Sequence, residues 1–219
     1  MEDPIGSHPT RAEQLDILAT AIADQARPGD RILDFGCGTG YVAKLIFDKR
    51  DDLRFTGVDL KPESLAAAAD NLSAHADRLE FFPGNLEALD EIGIPEGPYR
   101  FALTALTFHD LPDEAKRKVI SFAADRLSDD GYFFLYDRVR LTEAAVFPLQ
   151  QSIWRRIERE YGRGMRTAET FEAYESDLAP NNRPARLSDY SSWFVEAGMT
   201  MQIMHLHGNV GLIAGAKPV

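Results

Sequence analysis

The stretch Ile32-Leu33-Asp34-Phe35-Gly36-Cys37-Gly38-Thr39-Gly40 decides the fold of this chain. It is a short apolar run that ends in three alternating glycines, and helix-forming residues resume directly after it at Tyr41. This pattern predicts a buried strand, a tight turn and a helix, with the turn at the carboxyl edge of a sheet, where open α/β folds bind ligands. Because glycines let the backbone approach a ligand closely, we predict a nucleotide-cofactor site in this turn.

Strand and helix patterns alternate on both sides of this turn. Further apolar runs predict strands at residues 55–58, 79–82, 101–106 and 131–136. Helix signals lie between these runs and also before the first strand, where Thr10 and Glu13 form a capping-box pattern. Alternation of this kind is typical of βαβ units and predicts a doubly wound α/β fold with a mostly parallel sheet.

The C-terminal part departs from this alternation. Residues 141–186 contain helix patterns with no strand between them, a stretch too long for an ordinary connection, so we predict a helical lid insert. Residues 199–205 and 210–214 then resemble two strands joined by a tight turn at Gly208. A hairpin at this point would make one strand of the sheet antiparallel.

The insert carries two patterns, each with two interpretations. Trp154, Ile157 and Tyr161 form an apolar stripe at helical spacing, which is more often core than substrate pocket. Five arginines also lie in the insert: Arg155, Arg156, Arg159, Arg163 and Arg166. They form either a solvated helix face or a site that captures a carboxylate or phosphate of the substrate.

Composition narrows the function further. The 219 residues carry 24 Lys and Arg against 35 Asp and Glu, a net charge of −11, which disfavours a nucleic-acid partner. One cysteine excludes an internal disulfide, and no metal-ligand cluster has plausible spacing, so we expect a metal-independent reaction. No run approaches about 20 apolar residues, and the start lacks a signal-peptide pattern, so we expect a cytoplasmic protein without a membrane partner. We expect a single domain over residues 1–219, beginning with an arm and a helix over 1–28.

Two common nucleotide motifs do not fit the glycine turn. A dinucleotide fingerprint would need glycine or alanine where Tyr41 stands, because helix and strand pack closely at that position. A phosphate-binding loop of the Walker type would end in Gly-Lys-Ser or Gly-Lys-Thr, which is absent from the turn. The turn therefore disfavours dehydrogenases and nucleoside triphosphatases.

The motif Asp34-x-Gly36-x-Gly38-x-Gly40 resembles the first motif of class I S-adenosylmethionine-dependent methyltransferases. The resemblance extends over about residues 10–216 and is weakest across the insert. It implies a Rossmann-like, seven-stranded sheet with a reversed last strand. It also implies S-adenosylmethionine as the cofactor and S-adenosylhomocysteine as the product.

The resemblance assigns the cofactor site residue by residue. The turn 36–40, including Cys37, would pass beneath the methionine part of the cofactor, with Asp34 fixing its amino group. Asp59 would accept hydrogen bonds from both ribose hydroxyls, and Leu60 would pack on the adenine ring. The remaining candidates are Asn85 and Leu86 at the adenine, and Thr104 and Ala105 near the sulfonium. Relatives usually carry aspartate in place of Asn85, whose amide oxygen can still accept the bond from the adenine amino group.

His109 is the candidate catalytic residue. It follows the fourth predicted strand, beside the expected methyl group, where relatives with small-molecule substrates often show His-His-Leu and this chain has His109-Asp110-Leu111. Because histidine titrates near neutral pH, it could act as a base or orient the substrate. A purely structural role, such as capping the next helix, is equally open. Asp137 and Arg138 end the fifth predicted strand at the same edge, so either could reach the substrate.

These observations favour a methyltransferase that acts on a small organic molecule. The aromatic residues and arginines of the insert would suit an anionic or aromatic acceptor. The first alternative is a carboxy-S-adenosylmethionine synthase, which resembles this chain in its methyltransferase core and also needs arginine to hold a carboxylate. The second is a non-catalytic S-adenosylmethionine-binding regulatory protein. The insert could also pack against a second copy of the chain, which would give a homodimer.

Overall fold

A computed structural model describes residues 10–162, 167–178 and 182–218. Seven strands form one sheet in the spatial order β3-β2-β1-β4-β5-β7-β6. Their bounds are β1 (Arg31–Phe35), β2 (Arg54–Asp59), β3 (Leu79–Pro83), β4 (Tyr99–Ala105), β5 (Leu127–Arg138), β6 (Thr200–His207) and β7 (Val210–Ala216). Every strand predicted from the sequence is present, and β5 is longer than predicted because it begins directly after the preceding helix.

The helices lie where the sequence pattern predicts them. Their bounds are α1 (Arg11–Gln25), α2 (Tyr41–Phe47), α3 (Pro62–Asn71), α4 (Asp113–Arg126), α5 (Phe147–Tyr161), α6 (Phe171–Ser176) and α7 (Leu187–Glu196). Short 3-10 helices occupy Ser73–Arg78, Leu86–Glu91, Phe108–Asp110 and Ala144–Val146. Pro62 begins α3, where its missing N–H leaves no intrahelical bond unmade.

The topology confirms the predicted Rossmann-like fold. Strands β1 to β5 run parallel, and β7 runs antiparallel to both β5 and β6. In the parallel register Phe35 lies opposite Val58, and Ala105 lies opposite Tyr136. The carboxyl ends of these strands therefore meet at one edge of the sheet, and the residues that follow them lie close together.

Two apolar layers cover the two faces of the sheet. Successive side chains of β1 point to opposite faces, so Ile32 and Leu33 belong to different layers. Ile32 packs in the layer that contains Leu18 of α1, whereas Leu33 packs in the layer that contains Val119 of α4 and Phe194 of α7. Helices on both faces protect the sheet from water and leave its carboxyl edge for ligand binding.

The capping box predicted at the start of α1 is wrong. The side chain of Thr10 makes no capping hydrogen bond, although α1 begins at Arg11 as expected. The backbone of Thr10 has φ −93° and ψ −6°, which is a helical conformation. An N-cap hydroxyl reaches the backbone N–H groups of the first turn from an extended conformation, so Thr10 is not positioned to do so.

The insert is helical, as predicted, and has a small apolar core of its own. This core consists of Phe147, Trp154, Tyr174 and Leu178, with Phe171 packed against it. The rings of Phe147 and Trp154 meet edge to face, with 5.7 Å between their centroids. The interpretation of the apolar stripe as core is therefore confirmed for Trp154, whereas Tyr161 is about half exposed.

The arginines of the insert are only partly within the described residues. Arg155, Arg156 and Arg159 are exposed, which agrees with a solvated face. The predictions for Arg163 and Arg166 lie outside the described residues. Within the described ranges, no helix has both the length and the apolar character that crossing a membrane requires.

Candidate active site

A cavity of about 660 Å³ opens at the carboxyl edge of the sheet, a volume in the range typical of small-ligand pockets. Most of the predicted cofactor residues line it: Asp34, Gly36, Cys37, Gly38, Asp59, Leu60, Asn85, Leu86 and Ala105. The candidate catalytic residue His109 lines the same cavity. Residues drawn from four separate strand ends therefore converge on one site.

The glycine turn is held against the end of β2 by hydrogen bonds. The N–H groups of Gly36 and Cys37 both donate to the carbonyl oxygen of Val58, at 2.7 and 3.0 Å. The N–H of Gly38 donates to Oδ2 of Asp59 at 2.8 Å, and the N–H of Lys61 donates to Oδ1 at 3.0 Å. Each carboxylate oxygen keeps a further lone pair, so Asp59 can still accept hydrogen bonds from a ligand in the cavity.

Gly36 fills a position that no other residue fits well. Its φ is +81°, in the left-handed region that side chains disfavour. A Cβ atom at this position would lie 2.2 Å from Oγ1 and 2.8 Å from Cβ of Thr107, which follows β4. The turn thus passes directly against the end of β4, and its backbone faces the cavity.

Asp34 is a buried carboxyl at the wall of the cavity. It is 1% exposed, and its Oδ1 has no hydrogen-bond partner among the described residues. Burial, and secondarily the neighbouring Asp59, raises the pKa of Asp34 well above its usual range. A carboxyl in this environment gains most when a ligand brings a positive charge or a hydrogen-bond donor to it.

Cys37 has the properties of a packing residue. It is 7% exposed, and burial raises the pKa of its thiol. The thiolate is the reactive form of cysteine, so this side chain is suited to filling space in the turn and not to nucleophilic chemistry.

His109 and Asp137 form a buried pair at the other end of the cavity. The ring Nδ1 of His109 lies 2.6 Å from Oδ1 of Asp137, and the backbone N–H of His109 donates to Oδ2 at 2.9 Å. The backbone N–H of Arg138 also donates to Oδ1, at 2.6 Å. Asp137 is fully buried, so these bonds fix both the ring and the carboxylate.

The pair determines which nitrogen of His109 can take up a proton. An ionised carboxylate only accepts hydrogen bonds, so the short contact assigns the N–H of the neutral ring to Nδ1. The lone pair is then on Nε2, which lies 3.7 Å from Oδ1 of the exposed Asp110. This arrangement can remove a proton from a ligand atom, with Asp137 stabilising the cationic ring that forms.

The segment that returns from the insert holds the loop of His109 in place. The backbone N–H of Arg183 donates to the carbonyl of His109, and its guanidinium donates to the carbonyl of Asp110 at 2.8 Å. The fully buried Lys116 donates to the carbonyl of Arg183 and, at 2.7 Å, to Asp113. Burial lowers the pKa of Lys116, while the bond to Asp113 opposes this shift.

No described residue of the insert lines the cavity, so the closure of the insert over the cavity as a lid stays a prediction.

Two of the predicted cofactor residues do not line the cavity. Gly40 forms the N-cap of α2 with φ +80°, so it shapes the turn from behind. Thr104 is fully buried, and its hydroxyl donates to the carbonyl of Phe35 at 2.9 Å. Because side chains alternate along a strand, Ala105 reaches the cavity and Thr104 does not.

The amide oxygen of Asn85 has a structural task of its own. It accepts a hydrogen bond from the backbone N–H of Glu87 at 3.0 Å and so caps the short helix Leu86–Glu91. Asn85 still lines the cavity, but only the second lone pair of this oxygen remains for a ligand.

Several lining residues were not assigned from the sequence. They include Arg11, Leu106 and Thr107. Leu106 has φ +58°, a strained conformation of the kind that concentrates at functional sites. Arg138, which the sequence analysis placed within reach of the substrate, does line the cavity. Arg11 reaches the cavity only because α1 docks on the sheet.

Comparison with known proteins shows similarity to methyltransferases. Residues 32–131 match the family model of a methyltransferase domain. A carboxy-S-adenosyl-L-methionine synthase from Campylobacter lari is 26% identical over 80% of this chain and 73% of its own length. The match to the family model contains the glycine turn, Asp59, Asn85 and His109.

Solved structures share the fold at low sequence identity. A putative O-methyltransferase from Nostoc punctiforme superposes with a TM-score of 0.69 at 17% identity, over 95% of this chain and 57% of that protein. Magnesium protoporphyrin IX methyltransferase from Synechocystis, with bound S-adenosylhomocysteine, superposes with a TM-score of 0.65 at 14% identity. The superposition covers 95% of this chain and 84% of that protein. This chain thus spans little more than half the length of the Nostoc protein. The chain is therefore similar to methyltransferases in residues 32–131 and in its fold.

Gly36→Ala should destabilise the protein more than Gly162→Ala. Both positions have positive φ, so each substitution costs about 1–2 kcal/mol of left-handed strain. Nothing lies within 4 Å of the added Cβ at Gly162, whereas at Gly36 Thr107 must move, which adds about 1–3 kcal/mol. Urea unfolding followed by circular dichroism measures both. Equal losses in the two variants would contradict the close contact.

Asp34→Asn should raise the free energy of unfolding at neutral pH. Because the pKa of Asp34 is raised in the folded state, the native protein binds more protons than the unfolded chain above pH of about 4. Wild-type stability therefore falls as pH rises toward the native pKa, by about 1.4 kcal/mol per unit crossed. The advantage of the variant should be small at pH 4 and grow toward pH 7 in urea titrations. A difference that does not change with pH would show that Asp34 ionises normally.

Proposed function

We propose that this chain, through its methyltransferase domain, transfers a methyl group from S-adenosylmethionine to a small organic acceptor without a metal ion. The observation that carries the proposal is that His109, paired with the buried Asp137, lines the cavity that also contains the glycine turn and Asp59. A cofactor site and a proton acceptor in one cavity are what such a transfer needs.

The cavity residues fit the cofactor in chemistry and shape. Asp59 presents acceptor oxygens for the ribose hydroxyls, and Asp34 presents a buried carboxyl for the cationic amino group. The backbone of the glycine turn leaves room for the methionine part. Leu60, Asn85 and Leu86 would flank the adenine, and Ala105 would border the sulfonium. When bound, S-adenosylmethionine supplies a methyl carbon that is activated by positive sulfur.

The buried pair favours an acceptor atom that must lose a proton. His109 would take that proton at Nε2, and Asp137 would stabilise the resulting imidazolium. A neutral amine or a thiolate gains little from such a base, so a hydroxyl or an acidic C–H group fits best. The protein would otherwise contribute to methyl transfer by holding the acceptor at the methyl carbon and by excluding water.

A second candidate is the synthesis of carboxy-S-adenosylmethionine. The relative from Campylobacter lari, which carries that name, matches most of this chain and most of its own length. Native mass spectrometry of the freshly purified protein separates the two candidates. Retained S-adenosylmethionine or S-adenosylhomocysteine would support methyl transfer, and retained carboxy-S-adenosylmethionine would support the synthase.

Asp59→Ala should weaken the binding of S-adenosylhomocysteine by about 1.5–3 kcal/mol, the range for lost hydrogen bonds to a charged group. Asp59→Asn keeps one acceptor oxygen, so its loss should be smaller. Isothermal titration calorimetry measures both affinities. Asp125→Ala, on the exposed face of α4, is the control and should bind as the wild type does. Unchanged affinity in Asp59→Ala would show that Asp59 does not bind the ribose.

His109→Gln should lower turnover by about 10²–10⁴-fold while leaving the affinity for S-adenosylhomocysteine nearly intact. Asp137→Asn should lower the rate as well, because the amide no longer stabilises the cationic ring. Formation of S-adenosylhomocysteine with an acceptor found by mass spectrometry is the measurement. Full turnover in His109→Gln would show that His109 has only a structural role.

A further inference from the structure

We propose that Arg11 and Arg138 form a binding site for a carboxylate group at the β5 end of the cavity, beside His109. The inference rests on the proposed function, because it names the chemical class of a group that binds in the same cavity. Both arginines line the cavity, whereas the described arginines of the insert do not. The candidate residues for binding an anion are therefore at the start of α1 and the end of β5, and not in the insert.

The charged lining residues that are buried or half-buried are separated by sign. The acids Asp34 and Asp59 lie at the glycine turn, and the cations Arg11 and Arg138 lie at the ends of α1 and β5. The other charged lining residues are the exposed Lys61 and Asp110. A ligand with a cationic group and a carboxylate, or two ligands of opposite charge, would match this distribution.

A buried chain of neutral groups positions Arg11. The hydroxyl of Tyr136 contacts the guanidinium of Arg11 and donates to Oε1 of Gln14 at 3.1 Å. The amide of Gln14 donates in turn to the carbonyl of Val210 at 2.9 Å. Gln14 and Tyr136 are fully buried, so the network ties Arg11 rigidly to β5 and β7.

Arg138 is likewise held by a neutral partner. Its guanidinium donates to Oδ1 of Asn182 at 3.0 Å, and the described residues offer it no ion pair. The nearby Asp137 uses both oxygens for N–H groups of His109 and for the backbone of Arg138. The buried Arg100, in contrast, pairs with Asp130 at 3.0 Å. Arg138 therefore lines the cavity, and no carboxylate of the described residues forms an ion pair with its guanidinium.

The two guanidinium groups are close enough to affect each other. Burial lowers the pKa of Arg11, the Tyr136 contact opposes this shift, the charge of Arg138 lowers the pKa further, and the charge of Asp137 raises it. Asp137 bonds to N–H groups of His109 and of the Arg138 backbone, so an anion between the two guanidinium groups would add a direct partner for both. A carboxylate suits the position, because each guanidinium offers several N–H donors in a plane that matches its two oxygens.

The carboxylate has two possible sources within the proposed function. It is carried either by the acceptor, which lies beside His109, or by the amino-acid end of the cofactor. Either source uses the same chemistry at the same pair of arginines. Calorimetry with probes that carry or lack each carboxylate assigns the source and tests the site at the same time.

Isothermal titration calorimetry on the full chain tests the site with four probes. S-adenosylhomocysteine carries the amino-acid carboxylate, and 5′-methylthioadenosine lacks it. Benzoate represents an acceptor carboxylate, and benzamide is its neutral counterpart; both are titrated with and without S-adenosylhomocysteine. The variants are Arg11→Gln and Arg138→Gln, with Arg11→Lys and Arg138→Lys to retain the charge. Arg159→Gln removes an exposed arginine of the insert and is the control.

Each glutamine variant should lose about tenfold or more in affinity for one carboxylate probe and keep its affinity for the matching neutral probe. The lysine variants should recover part of the loss, and Arg159→Gln should lose nothing. Loss confined to S-adenosylhomocysteine assigns the site to the cofactor, and loss confined to benzoate assigns it to the acceptor.

The inference is overturned if both glutamine variants bind every carboxylate probe as the wild type does. It is also overturned if Arg159→Gln loses as much affinity, since a general charge effect would then explain the result. Failure of the wild type to bind S-adenosylhomocysteine would reject the proposed function. The benzoate titration of the ligand-free protein still decides the carboxylate site in that case: binding that depends on Arg11 and Arg138 supports it, and its absence overturns it.

Discussion

The carbonyl oxygen of Val58 accepts the N–H groups of both Gly36 and Cys37, and these two bonds join the end of β1 to the end of β2. The carboxylate of the next residue, Asp59, accepts a hydrogen bond from the N–H of Gly38. The glycine turn therefore has no freedom to move apart from the sheet. Thr107 closes it from the side of β4, so three strand ends set the shape of the cofactor half of the cavity.

The second half of the cavity depends on the register of β4 and β5. Ala105 lies opposite Tyr136 in that register, so His109, beyond the end of β4, comes within hydrogen-bond distance of Asp137, near the end of β5. Their pairing is reinforced by the insert, whose return segment bonds to the loop of His109 through Arg183. The insert thus supports the site from outside, with its aromatic residues used for its own core.

The accuracy of the site predicted from sequence varies with the kind of signal. Residues in the glycine turn and at the strand ends were found because their chemistry and their position along the chain coincide. Thr104 was assigned to the cavity because it ends β4, but alternation along the strand turns it inward and leaves Ala105 at the cavity. The oxygen of Asn85 was expected to accept a hydrogen bond from the adenine amino group, but capping of a short helix already uses one of its two lone pairs.

The sequence by itself determined the order of strands and helices, the reversed last strand, the glycine turn and the acid that follows β2. These features follow from local periodicity and from the conformations that glycine allows, so a single stretch of chain contains the information. Only the tertiary structure decided that Asp137 partners His109, that Arg11 and Arg138 share one wall, and that the insert packs on itself. Each of these depends on how strands register and helices dock across the sheet, which brings together residues that are far apart in the chain and that no local pattern relates.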